Sequence, residues 1–332
     1  MKRFALYIML IITLYSCVEE IDLNLDKETP KLVIEGLVES TDGPHFVRLT
    51  ESNAGILSTY SEMYPNLITL NPVLDALVIL SDDFGQIDTL KAIQADREEY
   101  FFDESLNATV KQIKDEKGNV IETIYLNDIL NYHIGGFYKT SNFIGVPGRT
   151  YTLEVITEEG KSYTASDHMY VSAKIDSIGF EKKVSDKDGQ EGLVPLLYFK
   201  DPQENVLNQY LFQLQNEEYF RTGSSDIWEF SIFSDKNTEP TVNGLNLDDG
   251  AELKGFNFFI HGFREELYFK MNSLSPKAYN YYEALLNQFD QDGGVYHPAP
   301  SSPPTNISNG GLGFFRTSAI TEITVSTGIF NQ

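Results

Sequence analysis

Between residues 31 and 172 apolar residues recur at every second position, the spacing of half-buried strands, whose successive side chains point to opposite faces. Leu32, Ile34 and Leu37, then Phe46, Val47 and Leu49, then Ala76, Val78 and Leu80 each mark a short strand. After a turn at Pro147-Gly148, Tyr151, Leu153 and Val155 share one face while Thr152, Glu154 and Ile156 share the other. Glu158-Glu159-Gly160-Lys161 then turns the chain into Ser162-Tyr163-Thr164-Ala165, a predicted hairpin. Two stretches break this rhythm, Ser52 to Pro72 and Phe102 to Gly136. Within the second, Lys111 to Tyr125 reads as a protruding hairpin around Lys117-Gly118-Asn119. Long loops on a β-scaffold are where recognition usually sits.

The second half opens near Lys174 with Ile175, Ile178 and Phe180. Further strands are predicted over Leu193 to Phe199, Gln209 to Gln215, Ile227 to Phe233, Phe256 to Phe263 and Leu267 to Met271, all rich in β-branched and aromatic residues. In IWEFSIF, Trp228, Phe230 and Ile232 share a face, which makes Trp228 a core residue rather than a sugar platform. One segment has helical period. Ser275 supplies an N-cap and Pro276 the first turn, Tyr279, Tyr282, Leu285, Leu286 and Phe289 recur along one face, and Gly293-Gly294 ends the helix. Such an aromatic stripe is the face a helix turns to its core. A Pro-rich run, NISNGG, and a final alternating strand from Phe315 to Val325 complete the chain. The pattern predicts a mainly β protein with a first β-rich domain over 31–172 and a second over 173–332, the latter holding one helix at about 275–291.

The start of the chain has a different grammar. Lys2 and Arg3 precede an apolar run from Phe4 to Tyr15, too short for the ~20 apolar residues that span a bilayer. Leu14-Tyr15-Ser16-Cys17 resembles the lipobox of bacterial lipoproteins, in which the cysteine sulfur receives the lipid. Residues 1–16 then read as an export signal, Cys17 as the lipidation site, and 17–30 as an acidic tether. Glu19, Glu20 and Asp22 also resemble the signal that sends Bacteroidota lipoproteins to the outer face of the outer membrane, and they serve equally as a solvated linker. Cys17 is the single cysteine, so no internal disulfide forms.

Charge narrows the partners. Removing residues 1–16 takes two of the 25 basic residues and none of the 49 acidic ones, leaving 23 against 49 and a net charge of −26. Such a surface repels nucleic-acid phosphates and anionic headgroups alike, so membrane attachment falls to the lipid. No catalytic constellation is legible: the five histidines show no metal-ligand spacing, and G-x-S-x-G, H-E-x-x-H and G-x-x-x-x-G-K are all missing. The doublets Asp82-Asp83, Glu98-Glu99, Glu217-Glu218 and Asp248-Asp249 are neighbours in sequence, which on a strand point apart. Asp186 with Asp188, and Asp290 with Asp292, begin like hard-cation loops, D-x-D-G, without the distal glutamate. They stand as calcium candidates or as simple turns. No other cofactor is called for.

The pieces VPGRTYTLEVITEEGKSYTAS, KIDSIGF, YFKDP and LSPKAYNYYEALLNQF followed by NISNGGLGFF resemble, in this order, the Bacteroidota lipoproteins grouped as domain of unknown function DUF4249. The resemblance covers nearly all of the chain after Cys17. It implies an outer-membrane lipoprotein, often encoded near TonB-dependent receptors, with an N-terminal sandwich of immunoglobulin-like or carboxypeptidase-regulatory-like form. It carries no catalytic residues. The stretches Ser52 to Pro72 and Phe102 to Gly136 exceed the usual connections of the family, which gives the loops of this chain a role of their own. The leading expectation is a non-enzymatic surface lipoprotein docking on an outer-membrane β-barrel such as a TonB-dependent transporter. A free-standing ligand-binding or adhesin module acting through the long loops is the alternative, and a hydrolase is the third.

Overall fold

A computed structural model describes residues 29–52, 71–93, 97–103, 108–114, 117, 119–126, 136–185, 189–202, 206–216, 230–249, 253–255, 258–261, 267–290 and 302–326. The first half supplies β1 (Leu32–Glu39), β2 (Phe46–Glu51), β3 (Asn71–Pro72), β4 (Leu77–Asp82), β5 (Ile87–Ala92), β6 (Arg97–Asp103), β7 (Ala108–Lys114), β8 (Val120–Leu126), β9 (Phe137–Lys139), β10 (Thr150–Ile156) and β11 (Ser162–His168). The second half supplies β12 (Lys174–Val184), β13 (Glu191–Lys200), β14 (Gln209–Asn216), β15 (Phe230–Ser234), β16 (Thr241–Asn246), β17 (Lys254–Gly255), β18 (Ile260–His261), β19 (Leu267–Ser273), helix α1 (Pro276–Asp290), β20 (Leu312–Ser318) and β21 (Ile320–Val325).

The alternation of the first half builds two facing layers, β11-β10-β4-β5 and β9-β2-β1-β20, joined edge to edge through β5 and β9 into one nine-stranded sheet that includes β3. Every second residue of β1, β10 and β11 is buried, as the period-2 reading requires. Val78, Leu80, Tyr151, Leu153 and Val155 from one layer meet Ile34, Val47, Leu49, Tyr138 and Phe315 from the other in a single core. The sheet is nearly a barrel. Its two outer strands, β11 and β20, come together without pairing, and side chains close the gap.

The stretch Phe102 to Gly136 does more than form a hairpin. Lys111 to Tyr125 is the centre of a three-stranded antiparallel meander, β6-β7-β8, that starts already at Arg97.

The second half packs the sheet β12-β13-β16, with β18 beside β13, against the five-stranded sheet β17-β15-β14-β19-β21. Phe199, Tyr210, Phe212, Phe233 and Phe269 fill the space between, Tyr210 and Phe212 stacking at 6.2 Å. Helix α1 covers the opposite face of the five-stranded sheet. Its stripe of Tyr279, Tyr282, Leu285 and Leu286 lies on Leu211, Phe230, Ile232 and Phe314, so the stripe is indeed a core face. Ser275 caps it by accepting the Ala278 N–H at 3.1 Å. Because β15 is enclosed by a sheet on one side and a helix on the other, Phe230, Ser231, Ile232 and Phe233 are all buried. Trp228 lies outside the described residues.

The final alternating strand is in fact two. Its alternation breaks at Ala319, where the chain leaves one sheet for the other: β20 runs parallel to β1, and β21 pairs with β19. The step is pinned by the Ser273 hydroxyl, which donates to Tyr170 O at 2.7 Å and accepts the Ala319 N–H at 2.8 Å. Ser40 holds the other side, giving its N–H to Ser318 O and accepting the Ile320 N–H. Residues 312–318, counted with the second half by sequence, are therefore a strand of the first sheet.

Candidate docking site

The strand directions fix which loops share an end of the first sheet. β1 begins where the chain enters the fold, and β2 returns antiparallel to finish beside that entry. The Lys31 N–H donates to Ser52 Oγ at 2.9 Å and the Ser52 N–H to Lys31 O at 2.9 Å, so the last residue before β1 and the first of the long β2–β3 connection are clipped together. The excursion holding β6–β8 leaves the sheet after β5 and returns at β9, at this same end. Its exit and return are sewn to the sheet by the Ile93 N–H on Phe137 O at 2.7 Å and the Leu49 N–H on Gly136 O at 2.8 Å. Gly136, at φ 84°, lies so close to β2 that a Cβ would stand 2.1 Å from Leu49 O, which demands glycine. One end of the sheet thus gathers the chain entry and both long insertions.

The opposite end is tightly tied. Asp82 Oδ1 accepts the N–H groups of Phe84 and Gln86, and its other oxygen meets Arg149 at 2.7 Å. Burial opposes ionisation of Asp82, yet Arg149 and the two N–H groups hold its carboxyl below the ordinary range. Arg149 also lies over the Phe84 ring at 4.6 Å, and Asp88 accepts the Ser141 N–H at 2.6 Å. Phe84 and Ile87 remain 74% and 69% exposed there.

Along the seam between β11 and β20 the NISNGG run acts as a clasp. Asn306 accepts the Phe315 N–H at 3.0 Å and donates to Phe315 O at 2.7 Å, while also reaching Ser166 O at 3.4 Å. Ser308 accepts the Thr164 N–H at 2.7 Å and gives its own N–H to Thr164 O at 2.8 Å. Deeper in the seam the buried Asp167 accepts from Thr317 N–H at 2.8 Å and Thr317 Oγ1 at 3.2 Å, and from the Ser275 hydroxyl that caps α1. Burial nonetheless pushes the Asp167 carboxyl up. Over the clasp lies an open cavity of about 390 Å3 lined by Thr152, Thr164, Ser166, Lys277, Asn306 and Ser308. Asn306, Thr164 and Ser308 are already committed to the seam, so the cavity offers a ligand little beyond Lys277 and two hydroxyls.

Two carboxylates far apart in sequence do meet. The Asn208 amide donates to Asp201 Oδ1 at 2.7 Å and Asp235 Oδ2 at 2.9 Å, and the Asn208 N–H donates to Asp235 Oδ1 at 2.9 Å. Burial, with the Asp201 charge beside it, pushes the Asp235 carboxyl up. The adjacent doublets considered from sequence could not reveal this pair, since its members are 34 positions apart. Asn208 bridges the two acids, whose carboxyls also hydrogen-bond each other, and the network ties the turn after β13 to the short 3-10 turn Asp235–Asn237. The arrangement locks a connection.

The residues singled out from sequence fall mostly elsewhere. Cys17, Glu19, Glu20 and Asp22 lie outside the described residues, as do Asp186, Asp188 and Asp292. Asp290 is the last residue of α1. Among the described residues no group of three or more His, Cys, Asp or Glu converges as a metal site, and no helix is long and apolar enough to cross a membrane.

A nearly closed β-sheet clasped along its seam by the NISNGG run, a second pair of sheets capped by one helix, and a separate three-stranded meander define a mainly β protein. The chain belongs to the family described as Domain of unknown function (DUF4249), whose model matches residues 18–324. No curated protein matches it.

Proposed function

We propose that this protein is a non-enzymatic lipoprotein, anchored through Cys17 at the outer face of an outer membrane, that docks on a β-barrel of the TonB-dependent transporter type and assists uptake or completes the complex. What supports this is the clip between Lys31 and Ser52. It sets the point where the tether joins the fold at the same end of the first sheet as the exits of both long insertions. Residues 17–30 reach at most about 50 Å when extended, which keeps that end of the sheet close to the membrane and to whatever is embedded in it. The lipid supplies attachment, since an acidic surface gains nothing from anionic headgroups.

The test is affinity capture through this chain from detergent-solubilised native outer membranes, with identification of co-purifying proteins by mass spectrometry. A β-barrel at near-stoichiometric yield is expected, and none would end the docking reading. Separately, Cys17→Ala should move the protein from the membrane to the soluble fraction without changing its melting temperature. Retention of the variant by membranes that lack any barrel partner would show that the lipid is not the anchor.

A further inference from the structure

Strand β20 turns its two faces to different surroundings. Phe315 and Thr317 point into the first sheet, where Phe315 joins the core and Thr317 meets Asp167. Phe314, Arg316 and Ser318 alternate with them and so share the other face, on which α1 lies. The Phe314 ring is 4.8 Å from that of Tyr281, and the Arg316 guanidinium is 5.3 Å from the centre of the Tyr282 ring. Arg316 is only 7% exposed, and Ser318 is fully buried. Arg316 Nη1 is buried without a hydrogen-bond partner among the described residues, and so is the Ser318 hydroxyl two residues on.

The acids of the neighbouring strand do not answer this charge. Leu37 of β1 stands directly beside Arg316, Glu39 is held by Lys270 at 2.7 Å, and Glu35 meets Arg48 at 3.8 Å. A guanidinium cannot shed its proton to escape burial. The face of Tyr282 offsets only part of the cost of taking the charge out of water. A planar fork of donors and a hydroxyl, about 7 Å apart along one strand face, together match a group with several acceptor oxygens. Leu37 is only half-buried, so the crevice opens along β1. With 49 acidic residues against 25 basic ones, the chain repels anions at long range, and an anion gains only where it fits such a fork. We infer that Arg316, with Ser318 beside it and Tyr282 over its guanidinium, binds a small oxyanion, a carboxylate or a phosphate, in the crevice between β20 and α1. The bound anion compensates the buried cation, so its binding registers as stability of the folded chain.

The experiment is a set of thermal melts of the full-length protein in detergent, wild type beside Arg316→Met. Inorganic phosphate and acetate are each compared with sodium chloride at equal ionic strength. Phosphate also stabilises folded proteins in general through exclusion from their surface, and that part is common to both chains. Beyond it, the wild type should gain about 2–4 °C at saturating concentration of at least one of the two anions, and R316M should gain nothing. A gain with phosphate alone identifies a phosphoryl ligand, and a gain with acetate a carboxylate. No gain with either anion, or the same gain in both chains, overturns the inference. If R316M does not fold, Arg316→Lys takes its place, keeping the charge and losing the planar fork. Its half-saturating anion concentration should rise about tenfold, and an unchanged value overturns the site.

Discussion

The seam between β11 and β20 and the meander β6–β8 are built on opposite principles. In the seam, side chains do the work of a missing strand pair. Asn306 reads both backbone groups of Phe315, Ser308 does the same for Thr164, and Asp167 gathers two elements and the cap of α1. In the meander, ordinary strand pairing joins the three strands, and the first sheet is closed across the exit and return of the excursion by Ile93 on Phe137 and Leu49 on Gly136. The fold would close without the meander but not without the clasp. The difference is one of commitment: the NISNGG run is spent on holding two strands of the first sheet together, while the described strands of the meander pair with one another.

The sharpest way to break this contrast is Asn306→Ala. It strips the Phe315 N–H and C=O of their partners in a partly buried seam, where each orphaned group costs on the order of 1–3 kcal/mol. A loss of about 2–3 kcal/mol in urea unfolding is expected, with an unchanged m-value. A loss below about 0.5 kcal/mol would mean the seam does not hold the sheet closed.

A second, smaller effect separates two carboxylates of the same sheet by sign. Asp82 has a depressed folded pKa, so its contribution is present above its ordinary value of 3.8 and is lost as pH falls through the folded value. Asp167 has a raised folded pKa, so its contribution is fully present below 3.8 and is lost as pH rises through the folded value. Asp82→Asn should therefore cost most at neutral pH and little near pH 3, by about these reference values. Asp167→Asn should look progressively better, relative to wild type, as pH climbs from about 4 toward 7. Melting temperatures of the three proteins across this range check it, and parallel slopes for the two variants would sink the account of the seam.

Much of the fold was legible because burial in a half-exposed sheet imposes period 2, and a helix packed on one face imposes its own stripe. Tyr151, Leu153 and Val155 are buried as their alternation requires, and Ser275 caps the helix that Pro276 opens. What alternation does not encode is which sheet a strand joins. Phe315 to Val325 reads as one strand because Ala319 keeps an apolar character through the step, and only the Ser273 and Ser40 contacts, made across 46 and 280 positions, split it. The clasp was hidden for the same reason: Asn306 bonds backbone groups, which leave no signature in side-chain pattern. The Asp201 and Asp235 pair required Asn208 between them. The excursion into the meander was visible as broken rhythm, but its third strand, β6, was not, since REEYFFD alternates poorly.

The smallest expected effect sharpens the contrast most finely, because the opposite end of the first sheet also exposes apolar side chains. Phe84 and Ile87 are 74% and 69% exposed and sit on a turn held by Asp82, so F84S/I87S should change unfolding free energy by less than about 0.5 kcal/mol. Capture of a barrel should be unaffected, since this end points away from the chain entry at Lys31. If docking answered to exposed apolar surface in general, F84S/I87S would weaken capture. Capture assays on F84S/I87S beside the wild type separate docking elsewhere on the fold from a surface that is merely sticky.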